Sequence, residues 1–344
     1  MRCNKRLWHC KIVFMRIAIV KLSALGDIVH AMVVLQFIKK FNAEISIDWI
    51  VDDKFKKLLD CNQDINNIYS VDLKNANKNK SILGVFKEIG NLRKLDSYDL
   101  VIDMQGLIKS ALISKLIPSK CTLGFDKFSS RESLASIFYN KTFNCPYETN
   151  VIERNIKIIN FALGFMTKSQ EILNKEPHLY SSNKLVHTKV STIKKNILLI
   201  PGASYSAKCY PVEKLAEISK LIDANFLVIW GNLEEKKKSI QIKKISPKVV
   251  ICEKLSISSL ISLISKVDLV IGPDTGPTHL AWALNIPSIT LFGPTPGLRN
   301  TFSTKINNII ESESRINPNK INKKDFSIKK IKVSDIVKMS NSLL

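Results

Sequence analysis

Lys21-Leu22-Ser23-Ala24-Leu25-Gly26-Asp27-Ile28-Val29-His30 and Gly272-Pro273-Asp274-Thr275-Gly276-Pro277-Thr278-His279 are the two stretches whose reading decides the fold. Each follows a short apolar run with strand character, Met15–Val20 and Val267–Ile271, and each opens an apolar run with helical character, 28–38 and 278–284. A glycine-bearing turn between the carboxyl end of a strand and the start of a helix is where open α/β sheets place their ligands. The unpaired N–H groups of such a turn also favour anions. Two of these turns in opposite halves of a 344-residue chain predict an α/β protein of two doubly wound, Rossmann-like domains facing each other across a cleft. That is the architecture of an enzyme with two substrates.

The flanking sequence fits this plan. Strands are predicted near 15–20, 44–51, 67–71, 98–103, 121–125 and 141–145, with helices near 28–40, 53–60, 81–95, 106–117, 131–139 and 149–164. A second alternation places strands at 196–201, 225–230, 248–252, 267–271 and 287–292, and helices at 211–222, 234–245, 256–265 and 277–284. Helix-length crossovers between β-branched runs imply mostly parallel sheets covered on both faces. The domains are therefore expected at 15–167 and 196–332, joined by a polar linker over 168–195. A last helix over 333–344 could pack back on the N-terminal domain, and residues 1–14 read as a disordered extension or an over-called start ahead of Met15.

Composition excludes several classes. Hydrophobic content of 45% with 24% charged residues is that of a globular protein, and no apolar run approaches the ~20 residues of a membrane span. Seven scattered cysteines without a C-x-x-C pair argue against a disulfide framework or a zinc site and fit a reducing cytosol. The five histidines (9, 30, 178, 187 and 279) make no metal-ligand spacing. The net charge of +22 would suit an anionic membrane face, acidic substrates or nucleic acid, but only eight of the 52 basic residues are Arg. Compositional drift towards Lys, Asn and Ile is the alternative reading of most of that excess. With no aromatic-interleaved basic patch, nucleic acid is not an expected partner.

Four turns carry the candidate chemistry. In Asp274-Thr275-Gly276-Pro277-Thr278-His279, Gly276 allows close approach of a ligand and Pro277 suits the first helical position. Thr275 adds a hydroxyl, and His279 falls one turn later. The group reads either as a pyrophosphate cradle or as an ordinary turn in which Asp274 or Thr275 caps the helix. The Phe292–Gly297 turn could close over the same ligand. Pro201-Gly202-Ala203-Ser204-Tyr205-Ser206-Ala207-Lys208 offers accessible backbone and a point charge for a phosphate. Asp27 reads either as a cap or as a general base held ionised by the helix start and Lys21, and both roles are compatible only if one oxygen stays open. No P-loop, dinucleotide fingerprint, zincin motif or nucleophile elbow is present.

These motifs, taken in order, resemble the ADP-heptose:lipopolysaccharide heptosyltransferases, inverting glycosyltransferases of the GT-B fold. The resemblance rests on K-L-S-A-L-G-D-I-V-H at 21–30, D-M-Q-G-L-I-K-S-A at 103–111, G-F-D-K-F-S-S-R-E-S-L-A-S at 124–136 and E-R at 153–154. It continues through P-G-A-S at 201–204 with Lys208, W-G-N-L-E-E at 230–235 and D-T-G-P-T-H-L at 274–280. It implies that the C-terminal domain binds ADP-heptose and the N-terminal domain the Kdo sugars of a lipid A precursor. Heptose would then pass to the 5-hydroxyl of Kdo in the inner core of lipopolysaccharide or lipooligosaccharide. A later heptosyltransferase and, more remotely, a GT-B-like UDP-sugar epimerase stay open.

By the resemblance, Asp27 is the catalytic base, while Ser204, Lys208, Glu235, Asp274, Thr275, Gly276 and His279 bind the donor. Ser23, Gly26, Lys109, Arg131 and Arg154 face the anionic acceptor. No cofactor or metal is required, a divalent cation being at most a non-essential addition. The basic surface would hold the chain peripherally on the cytoplasmic face of the inner membrane. The sequence departs from the family pattern in Cys209 beside the lysine and in Tyr210, where Trp is more usual.

Overall fold

A computed structural model describes residues 14–72, 90–181 and 189–344. The chain divides into two compact units, Met1–Lys175 and Glu176–Leu344, and the division falls inside the segment expected as a linker.

The first unit holds six strands: β1 (Arg16–Val20), β2 (Ser46–Asp52), β3 (Asn67–Val71), β4 (Leu100–Asp103), β5 (Thr122–Phe125) and β6 (Lys141–Phe143). They form one sheet in the order β3-β2-β1-β4-β5-β6, every pair parallel. The second unit repeats the plan with β7 (Asn196–Leu199), β8 (Asn225–Val228), β9 (Val250–Ile251), β10 (Leu269–Pro273), β11 (Ser288–Phe292) and β12 (Asn307–Glu311). Their order is β12-β11-β10-β7-β8-β9, again all parallel. The central strands are buried along nearly their whole length, as the unbroken apolar runs Ile17–Val20 and Leu269–Ile271 require when both sheet faces are covered.

Local signals explain most boundaries. The helix Val151–Leu163 begins at Asn150, whose Oδ1 accepts from the N–H groups of Ile152 and Glu153, and ends at Gly164 in the left-handed region. The single helix expected over 28–40 is two, Leu25–Met32 and Val34–Phe41, meeting at Val33. The helices expected at 53–60 and 131–139 are 3₁₀ segments, Asp53–Leu58 and Ser133–Phe138. Most of the helix expected over 81–95, and nearly all of 1–14, lie outside the described residues.

Several short elements escaped the pattern reading, two of them in stretches read as polar connections. The short helix Ser169–Leu173 lies in the expected linker, and β12 lies in the polar stretch 304–332. As an edge strand, β12 needs one paired side only, so its Asn-Asn-Ile-Ile-Glu sequence lacks the continuous apolar run of a central strand. The C-terminal helix Val333–Leu343 packs in the second unit, where Val333 and Ile336 join the core with Ile289, Leu291 and Ile328.

Candidate functional site

In both sheets the strand order reverses at one point, between β1 and β4 and between β7 and β10, and ligands of open α/β sheets bind outside the carboxyl ends of the strands there. Most of the residues singled out from the sequence lie on the turns around these two places, while Arg131 and Arg154 belong to the β5–β6 side of the first sheet.

At the first, the turn after β1 is held by the turn after β4. Gln105 Oε1 accepts from the N–H groups of Leu22 (3.2 Å) and Ser23 (3.3 Å). Gln105 is in turn positioned by Asp103, whose Oδ1 accepts from the N–H groups of Gln105 (2.7 Å) and Gly106 (3.2 Å). Asp103 Oδ2 accepts from Ser110 Oγ and Tyr139 Oη, both at 2.7 Å. Burial raises the pKa of this fully enclosed carboxyl, and its hydrogen bonds, none of them from a cation, offset that only in part.

Asp27 occupies the third position of the helix Leu25–Met32 and is exposed. Its Oδ2 accepts from the Ala24 N–H at 3.3 Å, a weak capping contact, while Oδ1 has no partner among the described residues. One oxygen therefore remains open, which is the geometry in which capping and base roles coexist. Lys21 does not serve this carboxylate: its ammonium is buried and donates to the Met104 carbonyl at 2.9 Å.

The three basic residues expected near the acceptor differ. Arg131 is exposed with no ion pair among the described residues. Lys109 stands in the first turn of the helix Ile108–Leu116, where partial burial lowers its pKa against the pull of Asp52. Arg154 is buried, and its guanidinium donates to the carbonyls of Cys145 and Pro146 (2.6 Å each) and Ser129 (2.7 Å) while stacking on Phe125. Those contacts make Arg154 a clamp on the chain around β5 and β6.

At the second place, Asp274 is the centre. Its Oδ2 accepts from Lys208 Nζ (2.7 Å), Thr295 Oγ1 (2.8 Å) and Asn300 Nδ2 (3.2 Å), and Oδ1 lies 2.9 Å from His279 Nε2. Burial alone would raise this carboxyl, but the Lys208 ammonium and the His279 hydrogen bond outweigh it and hold Asp274 well below the usual carboxylate range. An ionised carboxylate only accepts, so His279 Nε2 carries the proton.

Asp274 does not cap the helix Gly276–Ala283, and neither does Thr275: the N-terminus has no side-chain cap, with Gly276 first and Pro277 second. That leaves the start of the helix open to an anion beside Lys208. Gly272 lets this helix and Ile200 lie close to β10, since a Cβ there would meet Ile200 Cβ at 2.7 Å and Thr278 Oγ1 at 2.8 Å. Tyr205 stands next to the cluster, its ring 5.8 Å from Lys208 Nζ and its buried hydroxyl without a hydrogen-bond partner among the described residues. Burial, then Asp274 and Asp325, push that phenol up to about 12.

The remaining donor-side candidates sit on the same edge. Glu235 Oε2 accepts from Gly231 N–H (2.6 Å) and Oε1 from Asn232 Nδ2 (2.9 Å), while Asn232 Oδ1 caps the Glu235 N–H (3.0 Å). Its carboxyl lies over Gly202, where an added Cβ would come within 2.3 Å of Cδ. Ser204 is exposed. Tyr210, the departure from the family pattern, is a core residue whose hydroxyl donates to the Ile331 carbonyl. Sequence reasoning noted the Thr295 turn but missed Asn300, and it quoted D-M-Q-G without assigning Asp103 or Gln105 a task. Among the described residues no group of three or more acidic, His or Cys side chains is placed to hold a metal ion.

The sequence profile of glycosyltransferase family 9 (heptosyltransferase) matches residues 87–330. The chain is 41% identical to lipopolysaccharide heptosyltransferase 1 of Campylobacter coli, over 96% of this chain and 99% of that protein. It is 26% identical to lipopolysaccharide heptosyltransferase 1 of Escherichia coli K12, over 83% of this chain and 90% of that one. Among solved structures, the E. coli heptosyltransferase WaaC with ADP superposes with a TM-score of 0.78 at 23% identity, covering 96% of this chain and 100% of that one. That likeness shows the fold, and the two parallel-sheet α/β units are those expected of GT-B.

Proposed function

The chain belongs to glycosyltransferase family 9, the heptosyltransferases, and we propose that it transfers heptose from ADP-heptose to the 5-hydroxyl of Kdo on a lipid A precursor. The observation that carries this reading is the uncapped start of the helix Gly276–Ala283 beside Lys208, a site built for a diphosphate. In the reaction the bond from the anomeric carbon of heptose to the diphosphate breaks and a bond to the Kdo oxygen forms on the opposite face, inverting the configuration. The Kdo hydroxyl proton goes to the open oxygen of Asp27. The electron pair leaves with ADP, whose growing negative charge is met by Lys208 and the helix N–H groups. Those groups supply the positive charge without a resident metal or cofactor. Lys109 and Arg131 are the cations left to receive acceptor carboxylates or phosphates.

The acceptor is lipid-anchored, so the chain works at the cytoplasmic face of the inner membrane. No described helix is long and apolar enough to cross a bilayer; the association in this reading is peripheral, through the basic surface, and weakens with salt. The reaction is tested by ADP release from ADP-heptose with and without Kdo-lipid A, for the wild type and Asp27→Ala. Acceptor-dependent release that the variant loses is the expected result. Release only with an already heptosylated core would move the chain to a later step, and no release with either acceptor would overturn the reading.

A further inference from the structure

We infer that the segment linking β5 to β6, with the neighbouring flank of the helix Ile108–Leu116, is the surface that seats this chain on an anionic lipid bilayer. The inference rests on the membrane association proposed above and names the residues that make it.

Phe128, Leu134 and Ile137 are 74%, 62% and 72% exposed, and Leu112 on the adjoining helix is 40% exposed. Other strongly exposed apolar side chains, such as Met166, Ile193 and Leu298, stand singly along the chain. Three large apolar groups within ten residues are costly to leave in water unless something covers them.

Their exposure is not slack packing. In a 3₁₀ segment, residues three apart share a side, so Leu134 and Ile137 of Ser133–Phe138 point outward together. Ala135 and Tyr139 point inward against Ala111. The Tyr139 hydroxyl is bonded to Asp103, and Arg154 clamps the Ser129 carbonyl. The outward apolar groups are thus displayed by a backbone pinned from behind.

The charges around them favour an anionic interface. Both oxygens of Asp126 are taken, Oδ1 by Ser129 and the Phe128 N–H and Oδ2 by Asn144. Glu132 Oε2 accepts from the Ile108 N–H. Those two carboxylates, the exposed Glu132 among them, are outnumbered by the exposed cations Lys109, Lys115, Lys127 and Arg131. Bulky apolar groups interleaved with cations on a short projecting element match the acyl–headgroup boundary, where the former enter the hydrocarbon and the latter meet phosphates. The segment leaves the carboxyl end of β5, on the same sheet edge as Asp27, so seating it brings that edge to an acceptor held in the membrane.

The test is co-sedimentation with vesicles of phosphatidylcholine alone or mixed with phosphatidylglycerol, for wild type, the triple variant Phe128→Ser/Leu134→Ser/Ile137→Ser and the control Met166→Ser/Ile193→Ser. Wild type and control should bind the mixed vesicles at low salt, and the triple variant at least about tenfold less. Transfer to a soluble, deacylated acceptor should be unchanged in the triple variant while transfer to vesicle-embedded acceptor falls with binding. Equal vesicle binding by wild type and triple variant would overturn the assignment of this surface. Failure of the wild type to bind would instead remove the membrane association, with activity on soluble acceptor still reporting separately on the transferase. Loss of soluble-acceptor activity in a folded triple variant would make these residues part of the acceptor site. A wild-type dimer that the triple variant breaks to monomer would make the surface a subunit contact.

Discussion

Asp103 and Asp274 are both buried aspartates at the carboxyl edge of a parallel sheet, and their surroundings push them in opposite directions. Asp103 meets only neutral donors, two backbone N–H groups and two hydroxyls, and burial wins. Asp274 meets an ammonium and an imidazole as well as neutral donors, and stays ionised. The same strand order thus carries two kinds of edge. In the first unit the buried carboxyl shapes backbone while Asp27 and Arg131 are left open; in the second, the charged groups are already engaged with one another. Topology places a site, and the identity of the partners decides its chemistry.

The largest effect expected is on the open side. Asp27→Ala should slow transfer by about 10²–10⁴-fold, the usual contribution of a positioned base, with ADP affinity by calorimetry unchanged. A variant that melts earlier or loses nucleotide instead would show Asp27 to be a helix cap only. On the engaged side, Lys208→Met leaves a buried carboxylate short of its cation. It should cost about 3 kcal/mol, the low end for such a loss because His279, Thr295 and Asn300 remain. The double variant Lys208→Met/Asp274→Asn should recover much of that stability but not nucleotide binding. No recovery would mean the pair is not coupled.

The two aspartates also predict opposite pH behaviour. Asp274 has a folded pKa below its unfolded value of about 3.9, so its stabilisation is complete above that pH and is lost as acid is added. Asp103 has a raised pKa, so its carboxylate costs stability as pH climbs from about 3.9 through the elevated value. Asp274→Asn should therefore be most damaging near neutrality and least in acid, while the penalty of Asp103→Asn should shrink as pH rises. Parallel curves in denaturant titrations would break the comparison. The smallest effect is expected from Gly202→Ala, whose Cβ displaces only the flexible end of Glu235. A loss of about 1 kcal/mol, smaller still on a Glu235→Ala background, is expected.

What the sequence made legible follows from how locally each feature is encoded. Strands such as Ile17–Val20 and the turns after them announce themselves because buried parallel strands must be apolar and their ligand turns need small residues. The break at Val33 carries no glycine or proline to mark it, and β12 borrows its stability from β11. Candidate residues on the turns themselves, Asp27, Lys208 and Asp274, could be picked out locally. The network Asp103–Gln105–Ser23 could not, because its meaning lies in a pairing across 82 residues that no local pattern states. Arg154 shows the reverse error: a conspicuous cation whose donors face carbonyls.

The strand order sets a schedule for synthesis. Ile17 cannot complete its pairing until Leu100 has been made, and Ile197 likewise waits for Leu269. Such long closures are slow. Yet each sheet draws its described strands from one unit, and the helix Val333–Leu343 completes the core of the second. The first sheet can therefore close while the ribosome is still making the second, and a stalled or truncated chain would fail in its C-terminal half alone.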